Sequence, residues 1–421
     1  MLLGLAGCSS SGATSSGATS SEAPSSGATA APPGLVATVI PATGTAPFDQ
    51  ERTLLAPPGW AVSVFARMEK PRLLAWTPDR RLLVSRPEFG DVLSLGTGGQ
   101  QRTLIRGLNQ PHGLAFDGTT LYVAESDQVN AYTYRSGVVS GRRIVVDDLP
   151  DGKSPELRGA YSHALKSVTV GKDGAIYVSV GSTGNISEQD RTATPERASI
   201  LKVAPGGGEP TVYARGVRNG TGLAVDPEGA VWTAVNHRDN VALPEDGYGR
   251  YKHDVVQAYV NDHPMEQLAR LTEGRELGWP YCNPEPQLEP TISYSNRPFL
   301  RDVQTNPDGT KLDCAALPPT EQGMGAHSAP LGLSFVTLPE PGALVGIHGS
   351  WNRRPPRPPE VSFYAWTGGT LGPQQTVLTG FQLADGSRWG RPVMAVQGPD
   401  DALYVSDDYA GAIYRVTVGK G

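Results

Sequence analysis

Leu114-Ala-Phe-Asp-Gly-Thr-Thr-Leu-Tyr-Val-Ala124 decides how the rest of the chain is read. Two short apolar runs flank a turn that contains Asp117-Gly118, a strong short-range signal for a β-hairpin. The same strand-turn-strand unit recurs at 74–85, 168–179, 223–233, 333–346 and 394–406. Each copy alternates apolar residues and places Asp, Gly or Pro where the chain must reverse. Six copies fall between 48 and 418, roughly 370 residues or about 62 per copy, which is room for four strands and their loops. The expected fold is all-β, a six-bladed β-propeller. The gap between the fourth and fifth copies predicts a long insertion near 243–322 on one face. Gly59-Trp-Ala-Val-Ser-Val-Phe65 is expected to close the ring by pairing beside the last blade. Helical periodicity is weak, and one short helix is expected within 264–274.

Composition agrees with this reading. The chain has 421 residues with 51 Gly and 37 Pro, and only 19% are charged. A helical bundle would be richer in Ala, Glu, Lys and Leu. The formal charge of −6 and the lack of a basic run argue against a nucleic-acid binder, which needs Lys and Arg to neutralise phosphates. No apolar stretch is long enough to span a bilayer as a helix.

Residues 1–8 end in Leu5-Ala6-Gly7-Cys8. This looks like the lipobox of bacterial lipoproteins, with Cys8 as the acylated residue; the other reading is a free Cys in a tail. Ser-Ser-Gly-Ala-Thr repeats follow at Ser10–Thr14, Ser15–Thr19 and Ser25–Thr29. So polar and small a segment cannot bury enough surface to offset its chain entropy, so 9–47 is expected to be a disordered tether and 48–421 the folded domain. The expected location is exported: lipid-anchored on the outer face of a bacterial membrane, or periplasmic, with the membrane met only through the lipid. Such a compartment permits disulfides, and Cys282 and Cys314 are the remaining candidates; the alternative is two unpaired thiols.

Polar residues occupy one slot of the repeat, just before the first strand of a copy. They are Asn109-Gln110-Pro111-His112, Tyr161-Ser162-His163, Arg218-Asn219, Ala326-His327-Ser328 and Trp389-Gly390-Arg391. Equivalent slots in a propeller lie side by side at the pore mouth, so Gln110, His163, Arg218, Asn219, His327 and Arg391 are expected to converge. A ring of cations and imidazoles suits an anionic, oxygen-rich ligand, because the Arg fork pairs bidentately with carboxylates. No His or Cys spacing suggests zinc. No Gly-x-Ser-x-Gly elbow is present, and no Gly-x-Gly-x-x-Gly follows a strand.

Longer stretches carry a resemblance. Pro58-Gly59-Trp60, Ser162-His163 through Gly174, and Gly216-Val-Arg218-Asn219-Gly-Thr-Gly-Leu223 are three. Gly278-Trp-Pro-Tyr-Cys282, Ala326-His-Ser-Ala-Pro-Leu-Gly-Leu333, His348-Gly-Ser-Trp-Asn-Arg353, Gly390-Arg-Pro-Val393 and Val405-Ser-Asp-Asp408 are the others. In this order they resemble the soluble quinoprotein glucose and sorbosone dehydrogenases, six-bladed propellers that use pyrroloquinoline quinone (PQQ) and calcium. The resemblance covers nearly all of the chain after the tether. It implies oxidation of a sugar by hydride transfer to the quinone, with His163 as general base and Gln110 beside the substrate oxygen. It implies cofactor contacts from Arg218, Asn219, Arg353 and Arg391, and calcium held by the backbone carbonyls of His237 and Arg238. Trp351 could lie over the planar cofactor, and His327 joins the cofactor-binding set. In the glucose-oxidising branch an Asp orients the catalytic His. Ser182 stands at that place here, so Ser182, Glu188 or Asp190 is expected to take the task. With no Cys-x-x-Cys-His for haem attachment, electrons are expected to leave to a separate acceptor. Two competing readings are a cofactor-free propeller that binds a glycan or protein partner, and a calcium-dependent lactone hydrolase, which needs acidic side chains around the metal.

Overall fold

The computed structural model describes residues 34–244 and 253–419. Cys8 and most of the expected tether lie outside the described residues. Six antiparallel sheets follow one another along the chain. Each begins with the innermost strand and works outward, as in Leu114–Asp117, Thr120–Ala124, Val129–Arg135 and Val138–Val146 of the second blade. The innermost strands of the six blades are Leu74–Trp76, Leu114–Asp117, Ser167–Val170, Gly222–Val225, Pro330–Val336 and Pro392–Gln397. They neighbour one another in that order, and the last returns to the first. Leu74, Leu114, Val168, Leu223, Leu333 and Met394, one from each blade, line a narrow axial channel.

Alternation along each strand supplies both faces of a blade. In Thr120–Ala124, Leu121 and Val123 pack with Leu83 and Val92 of the blade before, while Tyr122 and Ala124 pack with Ile176 and Val178 of the blade after. Cores of this kind fill every gap between neighbouring blades. The turns of the repeat have a physical cause as well. Asp226 Oδ1 accepts from the backbone N–H groups of Glu228, Gly229 and Ala230 at 2.9, 2.7 and 2.9 Å, and Oδ2 accepts from Trp232 Nε1 at 2.9 Å. One buried carboxylate thus closes the hairpin and anchors the strand that leaves it.

The ring closes as expected. Ala61–Arg67 pairs antiparallel with Ala412–Thr417 as the outer strand of the sixth blade. Three details differ from expectation. First, the folded unit starts before residue 48: Val36–Ile40 pairs with Arg52–Ala56, and Ile40 is buried against the outside of the ring. Its β-branched Val-Ala-Thr-Val-Ile run suits a strand and finds a partner in Arg52–Ala56. Second, 264–274 is not helical. Glu266–Leu271 is the third strand of the fourth blade, paired with Val231–Val235, so pairing overrides a local composition that suits a helix. The short helix lies earlier, at Gln257–Val260. Third, the insertion is not wholly outside the blades. It supplies that third strand, and Arg275–Glu276 adds in parallel to Thr211–Arg215 of the third blade. The rest is pinned by the Cys282–Cys314 disulfide. It also contacts the loops of the third and fourth blades through Trp279 Nε1 to the Asn185 carbonyl (3.2 Å), Lys311 to Glu188 (2.6 Å) and a buried Arg238–Asp302 ion pair.

Candidate active site

At one end of the axial channel the loops enclose a cavity of about 230 Å³, lined by His163, Arg218, Asp239, His327, His348 and Arg391 with Trp351 at its edge. The slots before the innermost strands contribute His163, Arg218, His327 and Arg391. The loops after the second strands contribute Asp239 and His348. Antiparallel strands bring both sets of ends to the same face.

His163 is fixed by its own blade. Its Nδ1 lies 2.9 Å from the carbonyl oxygen of Ser182 and 2.9 Å from Ser182 Oγ, and that hydroxyl donates to the Gly184 carbonyl at 2.7 Å. A carbonyl can only accept, so Nδ1 carries the proton and Nε2 keeps its lone pair. Ser182 therefore orients the ring, chiefly through its backbone. Glu188 and Asp190 do not: Glu188 pairs with Lys311, and Asp190 with Arg197 and Thr183. Gly181 permits the approach, because a Cβ there would lie 2.6 Å from that of His163. Burial, helped by the Arg218 charge, pushes the His163 imidazole down to about 3, so the ring is neutral at pH 7.

Arg218 is buried. Its guanidinium donates to the carbonyls of His237 (2.7 Å) and Asn236 (3.1 Å) and to Asn185 Oδ1 (3.2 Å). Burial pulls its pKa down to about 10, which leaves it charged. Arg391 donates from Nε to the His348 carbonyl at 2.8 Å and from Nη2 to the Gly349 carbonyl at 3.2 Å. His327 faces an acceptor on each side, the Val260 carbonyl at 2.7 Å from Nε2 and Asp239 Oδ1 at 3.3 Å from Nδ1. Burial lowers its pKa, but the Asp239 and Glu266 carboxylates and the carbonyl outweigh this and raise it overall, so the ring is suited to be an imidazolium. The wall thus carries two guanidiniums and one imidazolium-prone ring against the single carboxylate of Asp239. Such a balance calls for an anion.

His348 stands within one of the motifs, where nothing in the sequence marks its role. Its Nε2 lies 2.8 Å from Asp408 Oδ1, and Arg72 Nη1 holds Asp408 Oδ2 at 2.7 Å. Asp408 also lay unassigned in its motif. Arg72 sits in the polar slot before the first blade's inner strand, so the repeat pattern pointed to it. Asp239 follows the His237-Arg238 pair and carried no signal of its own.

Other expected residues do not reach the cavity wall. Gln110 is exposed, and its carboxamide oxygen accepts from Ser126 Oγ at 2.7 Å. Asn219 is buried behind the wall, where its carbonyl accepts from the Asn236 N–H at 2.9 Å. Arg353 turns to the Asn261 and Pro355 carbonyls and to Asp262, because the Pro-rich 353–359 loop folds against the segment after the short helix. Trp351 is the exception, since it lines the rim of the cavity with its ring 72% exposed. Arg238 sends its side chain to Asp302 and Gln304. The His237 carbonyl already accepts from Arg218 at 2.7 Å, so a cation at that oxygen would share it with a guanidinium. Among the described residues no cluster of three or more His, Cys, Asp or Glu side chains is arranged to hold a metal, and no helix is long and apolar enough to cross a membrane. The donor set does fit PQQ, whose three carboxylates need cations when buried: Arg218 and Arg391 keep N–H groups that would hold them, and His327, with both nitrogens engaged, would add only its charge.

Known proteins share this architecture. The chain is similar to the holo form of the pyranose dehydrogenase PQQ domain from Coprinopsis cinerea, with a TM-score of 0.71 and 20% identity over 86% of this chain and 97% of that one. It is similar to a calcium structure of the Trichoderma reesei Carbohydrate-Active Enzymes Family AA12 protein, with a TM-score of 0.70 and 21% identity over 87% and 97%. A PQQ-dependent pyranose dehydrogenase of Coprinopsis cinerea is 23% identical over 405 residues, covering 77% of this chain but 54% of its own length, so the chain spans about half of that relative. The TrAA12-like family model matches residues 54–419, and the chain belongs to that family.

Proposed function

We propose that this chain is a PQQ-dependent dehydrogenase that oxidises a hydroxyl or hydrated aldehyde carbon of a sugar, in the aldose or pyranose class. One observation carries the reading: two guanidiniums, an imidazolium-prone ring and two neutral imidazoles share one small axial cavity. The names of its relatives point the same way. Bound there, PQQ supplies a two-electron acceptor. Arg218 and Arg391 bind and orient an anion of that kind, and the charge on His327 favours it. His163 presents the Nε2 lone pair, fixed by the Ser182 carbonyl, to take the hydroxyl proton as the C–H bond gives up its electron pair. General-base help of this sort is worth about 10²–10⁴-fold. Binding of carboxylates beside Arg218 lowers the positive field at His163 and raises its basicity toward the working range. No step is assigned to calcium. The electrons pass to a separate acceptor. Export, with Cys8 as lipid anchor, is part of the same proposal.

The test mixes the purified chain with PQQ, with and without calcium, and follows the quinone absorbance and the reduction of an artificial dye by a panel of aldoses. Sugar-dependent dye reduction is expected. If PQQ neither binds nor supports turnover, the chain is a binding propeller for a glycan or protein.

A further inference from the structure

Oxidising a CH–OH group to a carbonyl removes two electrons and two protons. His163 accounts for the hydroxyl proton. The second proton travels with the hydride and is set free when a one-electron acceptor takes the two electrons in turn. We propose that His348, backed by Asp408, is the residue that accepts this second proton. The proposal rests on the dehydrogenase reading above.

The geometry differs from that of His163 in one decisive respect. The ring of His163 leans on a neutral carbonyl. His348 Nε2 lies 2.8 Å from a carboxylate oxygen, so Nε2 carries the hydrogen and Nδ1 keeps the lone pair. A carboxylate stabilises the imidazolium that forms when Nδ1 is protonated, which a carbonyl dipole does more weakly. Asp408 is in turn held ionised. Arg72 sits at 2.7 Å on its other oxygen, and the carboxyl keeps only 14% of its surface exposed. The groups that face this pair are known. Arg391 grips the His348 carbonyl, Arg72 lies beyond Asp408, and Asp407 and His112 lie nearby. The two arginines oppose protonation of His348, and an anion on Arg391 removes part of that opposition. Burial still pulls His348 down, to about 4, so the ring is neutral before it takes a proton. Charge and atoms balance: one proton moves to each imidazole, two electrons move to the acceptor, and both protons later leave to solvent.

The first measurement uses the wild-type chain without cofactor. Imidazole ¹⁵N spectra should show the Nε2–H tautomer for His348 and the Nδ1–H tautomer for His163. An Nδ1–H tautomer at His348 overturns the proposal, whatever the enzyme oxidises. The second compares half-reactions of the PQQ-loaded chain by stopped flow. Asp408→Asn should slow electron transfer to a one-electron acceptor about tenfold more than it slows reduction by sugar, and the oxidative step should gain a solvent deuterium effect. His163→Ala should show the reverse bias. Equal slowing of both halves in a folded Asp408→Asn variant, or slowing of neither, sinks the idea. If that variant does not fold, the tautomer measurement decides alone. Absence of any sugar-driven reduction in the wild type refutes the dehydrogenase reading instead, and the tautomer result remains interpretable.

Discussion

Replacing Arg391 with Met tests whether the cavity is built for an anion. Two of its nitrogens are occupied by the carbonyls of His348 and Gly349. That grip aims the fork and leaves Nη1 uncommitted among the described residues. A hydrogen bond to a charged group is worth about 1.5–3 kcal/mol. Each 1.36 kcal/mol is tenfold in affinity. The side chain is only partly buried, so solvent screening favours the lower end, and the expected loss in PQQ affinity is about 10–30-fold. Arg391→Lys keeps the charge but not the fork and should fall between. Arg415→Met removes a half-buried arginine paired with Asp400 on the third strand of the sixth blade, away from the cavity, and should leave PQQ affinity unchanged. Affinity is read by calorimetric titration of the cofactor-free chain at two ionic strengths, and the wild type should lose more affinity on adding salt than the Met variant does. Thermal melting checks that the freed carbonyls have not unfolded the loop. A loss below about threefold in a folded Arg391→Met protein, or an equal loss in Arg415→Met, would refute the assignment of this guanidinium to an anionic ligand.

Ser182→Ala removes a hydroxyl but leaves the carbonyl that holds His163, so turnover should fall by less than about threefold, while His163→Ala should lose about 10²–10⁴-fold in kcat with PQQ affinity retained. Asp226→Ala leaves three backbone N–H groups and the buried Trp232 indole without their acceptor, and denaturant unfolding should show a loss of about 3 kcal/mol or more. Burial raises the Glu266 carboxyl to about 7, above its ordinary value near 4.5. Its contribution to stability is thus fully present below pH 4.5 and is lost as pH rises through 7. Glu266→Gln, which can still accept from the His237 N–H, should remove that decline, seen as a flatter melting temperature between pH 5 and 8.

The fold was legible because the hairpin turn must be rebuilt in every blade. Asp79, Asp117, Asp173, Asp226 and Asp400 stand at the turns of five copies and Pro339-Glu-Pro-Gly342 at the other, so six copies announce six sheets. The polar slot before each inner strand was legible for the same reason, and it led to His163, Arg218, His327 and Arg391. The slot did not lead to the cavity at Gln110, where a neighbouring hydroxyl captures the carboxamide, nor did the resemblance at Arg353, where a proline-rich loop folds away. Neither event leaves a mark in local composition. The His348–Asp408–Arg72 cluster joins residues more than 330 positions apart, a pairing that only closure of the ring creates. The strand 266–271 misled because Glu, Gln, Leu and Ala suit helices, and only its partner strands say otherwise.

Ring closure has a consequence for how the molecule is made. The strand Ala61–Arg67 leaves the ribosome early, but its partner Ala412–Thr417 emerges more than 340 residues later. Until then the nascent protein carries an unmatched edge that could capture a foreign strand. A polypeptide cut short within its last turn of synthesis would hold five finished sheets and still fail to lock, so quality control here is a test of completeness.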